Sequence, residues 1–112
     1  MKHGDIYWVD LADRGGREQS GRRPAVIWQD TALLAFPTVL IIPLTSRFIA
    51  RRFPATHMLQ PTPRNGLAAA SVALVFQLGA CDVKRFGDRI GELDDQDRIA
   101  LQDLTKRLQK LP

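Results

Sequence analysis

The chain has one cysteine, one tyrosine and, between Arg14 and Arg64, no lysine at all. The lone thiol, Cys81, cannot close an internal disulfide, so the fold must rest on its core, and a reducing, cytoplasmic setting is expected. No apolar stretch approaches the ~20 residues that a membrane helix requires. Met1-Lys2-His3 runs directly into a strand-like segment, with no apolar region of the kind found in secretory leaders. His3, His57 and Cys81 lack the spacing of metal ligands, so neither a metal nor a cofactor is expected. What remains is ordinary globular material: 112 residues, 45% hydrophobic and 25% charged, enough for a single domain over 1–112 with its own core.

The charge is unevenly distributed. Net charge is +4, but Arg14 to Arg64 carries eight arginines against only Glu18 and Asp30, a local +6, and the rest of the chain holds 8 basic and 10 acidic residues. A segment that uses arginine to the exclusion of lysine suits phosphate, because guanidinium offers a planar fork of donors. Nucleic acid is therefore the favoured partner class.

Ile6 to Leu11 is β-prone and partly alternating, a first strand; Pro24 to Trp28 is a second. Thr38 to Leu44 is apolar on both faces and therefore central. Ala55 to Leu59 reads as a short strand, Ser71 to Leu78 as a buried one, and Arg89-Ile90 as a brief last one. Ala12 to Gly21 is a long polar loop, and Pro61 to Gly66 is rich in turn residues. The end changes character. Asp94 can cap a helix with Asp97 in its first turn and Lys106, Arg107 and Lys110 near its end. Leu101, Leu104, Leu108 and Leu111 form an apolar stripe along it. Several strands followed by one helix predict a mainly β, small-barrel fold closed by a C-terminal α-helix.

The second and third strands form an expected hairpin. Pairing Gln29 with Thr38 sets Arg23 opposite Leu44 and brings Gly21-Arg22-Arg23-Pro24 beside Pro43-Leu44-Thr45-Ser46. Both segments are stiffened by proline. A guanidinium, two hydroxyls, and the carboxylate and amide of Glu18 and Gln19 are thus gathered at one rim.

These residues carry a resemblance. Gly4 to Leu11, the Glu18-Gln19-Ser20-Gly21-Arg22-Arg23-Pro24 motif, Pro43-Leu44-Thr45-Ser46, Ser71 to Gln77 and Asp82 to Leu93 resemble, in order and spacing, the MazF/PemK-type toxins of bacterial toxin–antitoxin systems. The resemblance implies an SH3-like barrel of the CcdB/MazF kind that pairs as a homodimer. It also implies metal-independent cleavage of single-stranded RNA and neutralisation by a cognate antitoxin that is acidic and partly disordered. It makes Arg23 and Thr45 the catalytic residues. Further candidates for RNA contact or proton transfer are Glu18, Gln19, Arg22, Ser46, His57 and Gln77. The chain departs from the family pattern at Phe76, where many members are acidic, and at Leu78-Gly79-Ala80, where many read Ile-Arg-Thr.

The chemistry agrees with that reading. RNA carries its own nucleophile, the 2′-hydroxyl, so a catalyst must align it with phosphorus and stabilise the charge that develops. A placed guanidinium does the second, and a threonine hydroxyl can donate to a phosphoryl oxygen. Two rival readings are weaker. CcdB-type gyrase poisons act through a C-terminal tryptophan, which this chain lacks, and a peptide-binding SH3-like adaptor needs several exposed aromatics.

Overall fold

Seven strands and one helix make up the regular structure of the computed structural model, which describes residues 1–11, 21–30 and 37–110. The strands are β1 (Asp5–Leu11), β2 (Gly21–Ile27), β3 (Thr38–Thr45), β4 (Thr56–Leu59), β5 (Ser71–Leu74), β6 (Gly79–Asp82) and β7 (Phe86–Glu92), followed by α1 (Asp95–Leu108). All pairings are antiparallel, in the order β4-β5-β3-β2-β1-β7, with β6 added to β3. The expected mainly β architecture with a C-terminal helix is what the chain adopts.

β3 is the hub. Along one edge its first half pairs with β6 (Thr38–Ile41 against Asp82–Gly79) and its last two residues pair with β5. Its other edge pairs with β2 at Ile41–Pro43. A strand covered on both faces should be apolar; β3 is apolar from Val39 to Leu44 and buried from Ile41 to Thr45, with Thr38 and Leu40 exposed. Ile42 and Leu44 join a core with Ile6, Val26, Leu59, Leu93 and Leu101 beneath the helix. Val39 and Ile41 join Val9, Ala25, Ile27 and Cys81 on the opposite side.

The β2–β3 register differs by one residue from expectation: Ile27 lies opposite Ile41, and Ala25 opposite Pro43. The ladder closes with Trp28 N–H donating to the Leu40 carbonyl, and the Gln29 side chain, rather than its backbone, accepts the Leu40 N–H. An amide side chain standing in for a backbone rung is what a count of residues misses. The strand expected over Ser71–Leu78 ends at Leu74, where Val75–Gln77 turn as a 3₁₀ helix and hand the chain to β6. A second such turn covers Phe48–Arg52, where no element was expected. Gly21, counted with the preceding loop, opens β2; the rest of that loop lies outside the described residues, as does Leu111.

Helix α1 begins after Asp94, but Asp94 does not cap it with a side-chain bond. Its carboxylate instead accepts from Thr62 Oγ1 at 2.6 Å. Leu101 is fully buried and Leu104 partly so, while Leu108 is exposed, so the stripe is covered at its N-terminal end. Trp28 packs in the same core and donates Nε1–H to Thr105 Oγ1. His3, close to the N-terminal end of the sequence, is half-buried, with its ring 4.2 Å from that of Trp28.

The segment between β4 and β5 is held by a buried amide. Asn65 Oδ1 accepts the N–H groups of Thr62 and Leu67, and Nδ2 donates to the Gln60 carbonyl. The next residue, Gly66, has φ +66°, and a Cβ there would run into the Ile90 carbonyl. A Cβ at Gly91 would likewise strike the Asn65 carbonyl. Two glycines thus let this loop lie directly on the backbone of β7.

Asn65→Ala removes all three side-chain bonds, leaving the Leu67 N–H buried without its partner and the Thr62 N–H and Gln60 carbonyl partly so, and should cost about 2–4 kcal/mol in urea unfolding; a loss under about 1 kcal/mol would contradict this role. His3 supplies a pH dependence. Burial, and then the Arg98 charge, hold its pKa below the ordinary 6.5, so the unfolded chain binds more protons here than the folded one. This contribution to stability is complete above about pH 6.5 and is lost as pH falls through the lower folded value. His3→Gln should flatten stability between about pH 7.5 and 5, read by denaturant midpoints.

Candidate active site

Gly21 to Pro24 pair with β1 only. The β2–β3 ladder stops at Ala25–Pro43, with Pro24 and Pro43 at its end. Neither proline has an N–H to offer a continuing ladder, so β2 and β3 part here. β3 turns to β5, and a cavity of about 500 Å³ opens between them. One wall is Arg22, Arg23 and Pro24 with Trp8 of β1; another is Leu44, Thr45 and Ser46. The loop Gly66–Ala69 and Arg89-Ile90 of β7 complete it. The convergence expected of the two segments is therefore real, although the register that suggested it is off by one.

The side chains differ in what holds them. Arg23 is half-buried, and its Nε is a buried donor with no partner among the described residues, a state it shares with Arg98. Such a group is costly to leave unmet, but it is closed to solvent, and Arg23 belongs to the site as a residue of the cavity wall. Arg22 is exposed and lies over the Trp8 ring at 4.5 Å, a cation–π contact. Thr45 is buried, and its Oγ1 accepts the Arg47 N–H at 3.2 Å. That bond occupies an oxygen lone pair and leaves the hydroxyl proton to donate. Ser46 is exposed beside it.

Arg89 was not singled out by sequence. It donates to Asp5 Oδ1 at 3.2 Å, and this bond raises the arginine pKa further. Asp5 is almost fully buried and also accepts the Lys2 N–H. Nearby, Glu92 has its pKa lowered, first by its hydrogen bond with Lys2. None of the described lining residues is a carboxylate or an imidazole. Among the described residues no three His, Cys, Asp or Glu side chains converge as a metal site would require.

Of the remaining candidates, His57 and Gln77 are not in the cavity wall. His57 sits on β4 with Nε2 2.8 Å from Asp97 Oδ1, tying that strand to the helix. Gln77 ends the 3₁₀ turn before β6. Glu18 and Gln19 lie outside the described residues. The two departures from the family pattern are also placed away from the cavity: Phe76 packs on Phe53 with ring centroids 5.6 Å apart, and Gly79 pairs with Ile41 in β6. Trp8 lines the cavity, whereas Trp28 is core. Trp8 stands on β1 opposite Pro24, beside the Gly21–Pro24 part of β2.

An arginine-walled cavity at a gap in a small antiparallel sheet, facing no acidic side chain among its described lining, defines a binder of polyanions. The sequence pattern of PemK-like, MazF-like toxins of type II toxin–antitoxin systems matches residues 2–111, and the chain belongs to that family. Over 97 residues it is 34% identical to Endoribonuclease EndoA of Bacillus subtilis, covering 86% of this chain and 83% of that protein. It is 35% identical over the same length to Endoribonuclease MazF of Staphylococcus saprophyticus, with 86% and 80% covered. Its fold matches that of MazF (Form-I) from Deinococcus radiodurans with a TM-score of 0.83 at 23% identity, covering 99% and 97% of the two chains. It also matches a mycobacterial endoribonuclease solved in complex with its cognate antitoxin, at TM-score 0.77 and 19% identity, covering 100% and 97%. Among the described residues no helix is long and apolar enough to cross a membrane.

Proposed function

We propose that this toxin is an endoribonuclease that cuts single-stranded RNA in the cavity between β2 and β3, with Arg23 and Thr45 as its catalytic residues. The observation that carries the reading is the convergence of Arg22, Arg23 and Arg89 with Thr45 and Ser46 in the wall of one cavity. The 2′-hydroxyl attacks the adjacent phosphorus, its proton passing to a base, and a 2′,3′-cyclic phosphate forms. The bond to the 5′-oxygen breaks, and that oxygen takes a proton to leave as a hydroxyl. Arg23 meets the extra negative charge on the non-bridging oxygens with a bidentate fork. Thr45, its oxygen fixed by the Arg47 N–H, donates its hydroxyl proton to one of them. Glu18, three residues before β2 begins, is a candidate for proton transfer or for base recognition, since arginine holds its proton too tightly to serve well as the base. Arg22, stacked on Trp8, and Ser46 grip the strand at the rim.

The reading extends to assembly. Phe48, Ile49, Phe53 and Phe76 are exposed. These apolar side chains support a homodimer, which would bury them. A dimer sets two arginine-lined cavities on one particle, and an acidic, partly disordered antitoxin that folds across them blocks RNA. RNA as substrate places the work in the cytoplasm.

Cleavage should continue undiminished in EDTA, because the described lining supplies no ligand set for a metal. It should leave 2′,3′-cyclic phosphate and 5′-hydroxyl ends, and methylating the 2′-oxygen at the cut site should abolish it. A 5′-phosphate product or inactivation by chelator would overturn the mechanism. Arg23→Ala and Thr45→Ala should each lower cleavage ~10²–10³-fold while leaving a folded protein. Arg23→Lys should not restore it, since a point charge lacks the fork.

A further inference from the structure

We propose that Arg89 is a third RNA-gripping arginine of the site, aimed into the cavity by irregularities in β7 and held there by the buried carboxylate of Asp5. The inference rests on the RNA-cleaving reading above and names a group that binds the substrate away from the reacting phosphorus.

The first observation is backbone geometry. β7 pairs with β1 through Asp5–Glu92 and Ile6–Gly91, then shifts so that Tyr7 faces Arg89, and shifts again so that Val9 faces Phe86. Each shift gives β7 one residue more than β1. In a regular strand neighbouring side chains point to opposite faces, yet Arg89 and Ile90 both line the cavity. A bulge re-aims a side chain in this way. Below it, Gly91 lets the Asn65 loop lie against the strand, so the bulged segment is backed by a fixed surface.

The second observation is how Arg89 is anchored. One Nη2–H bond goes to Asp5, and the guanidinium makes no other hydrogen bond with a described residue, though it has five N–H groups. Asp5 is itself fixed by the Lys2 N–H at 2.9 Å and is 2% exposed. The arrangement orients a half-exposed cation without consuming its fork. A purely structural ion pair would have no need to stand in the wall of the cavity. Arg22 and Arg23 stand on β2 and Arg89 on β7, with β1 between, so a strand of RNA lying in the cavity passes cations on two sides. Asp5 is then a positioning residue.

The test is binding of a fully 2′-O-methylated RNA, matched in sequence to a site that wild-type protein cuts, measured against potassium chloride concentration. Arg89→Gln should weaken binding about tenfold and make the slope of log K against log salt shallower by about 0.7, one phosphate contact on a single strand. KM for cleavable RNA should rise by more than kcat falls. Arg89→Lys should keep the slope. Because Arg89→Gln leaves Asp5 without its cation, the double variant Arg89→Gln, Asp5→Asn is measured beside it and should show the same loss of affinity and slope. A double variant restored to wild-type binding would overturn the inference, since the defect would then lie in the unpaired carboxylate. An unchanged slope in Arg89→Gln, in a protein that cuts RNA, would overturn it alone. Wild-type protein that neither binds nor cuts RNA would bring down the parent reading and this one together.

Discussion

Two prolines with no N–H to give decide where this sheet comes apart. Pro24 and Pro43 sit at the end of the β2–β3 ladder, and beyond Ala25–Pro43 the two strands have no further rungs. β3 continues by pairing with β5, and β2 continues beside β1 alone. The gap this leaves is the cavity. A hydrogen-bonded sheet is otherwise a closed surface, and opening one in its middle costs unpaired backbone groups. Placing residues that have no donor at the parting point avoids part of that cost. The same stiff φ of proline fixes the directions of Arg23 before Pro24 and Leu44 after Pro43.

The walls are set by longer-range contacts. Asn65 gathers the loop between β4 and β5 by three side-chain bonds, Thr62 ties it to Asp94 at the start of the helix, and Gly66 and Gly91 let it press on β7. The loop then contributes Gly66 to Ala69, small or apolar residues that bring no competing charge. The polar work falls to arginine and the hydroxyls of Thr45, Ser46 and Ser71. Asp5, the carboxylate nearest to this arrangement by its bond to Arg89, is turned into the interior.

Local signals made part of this legible. The apolar run of β3, the helix with its acidic start and basic end, and the proximity of Arg23 to Thr45 follow from composition and proline placement, which act over a few residues. The register was missed because a side-chain amide, Gln29, replaced a backbone rung. β6 and most of β7 were missed because Gly79 to Glu92 is polar and bulged, with no clean alternation to read. Arg89 entered the site through the pairing of β7 with β1, strands about eighty residues apart, and Trp8 through its place opposite Pro24 in the β1–β2 pairing; no local pattern encodes the first. The hydrogen bond between His57 and Asp97 follows from helix packing and is equally invisible in a window of ten residues.

The span of the cavity wall has a temporal meaning. Its residues run from Trp8 on the first strand to Ile90 on the last, and β3, its central support, needs β5 and β6 from later in the chain to complete its edge. A chain growing from its N-terminus on the ribosome therefore holds no formed site until β7 has emerged. Arg22 and Arg23 are made early but lack their opposing wall, because non-local strand pairing must wait for its partners. A product of interrupted synthesis that stops before β7 therefore carries Arg22 and Arg23 without the wall that would make them a site.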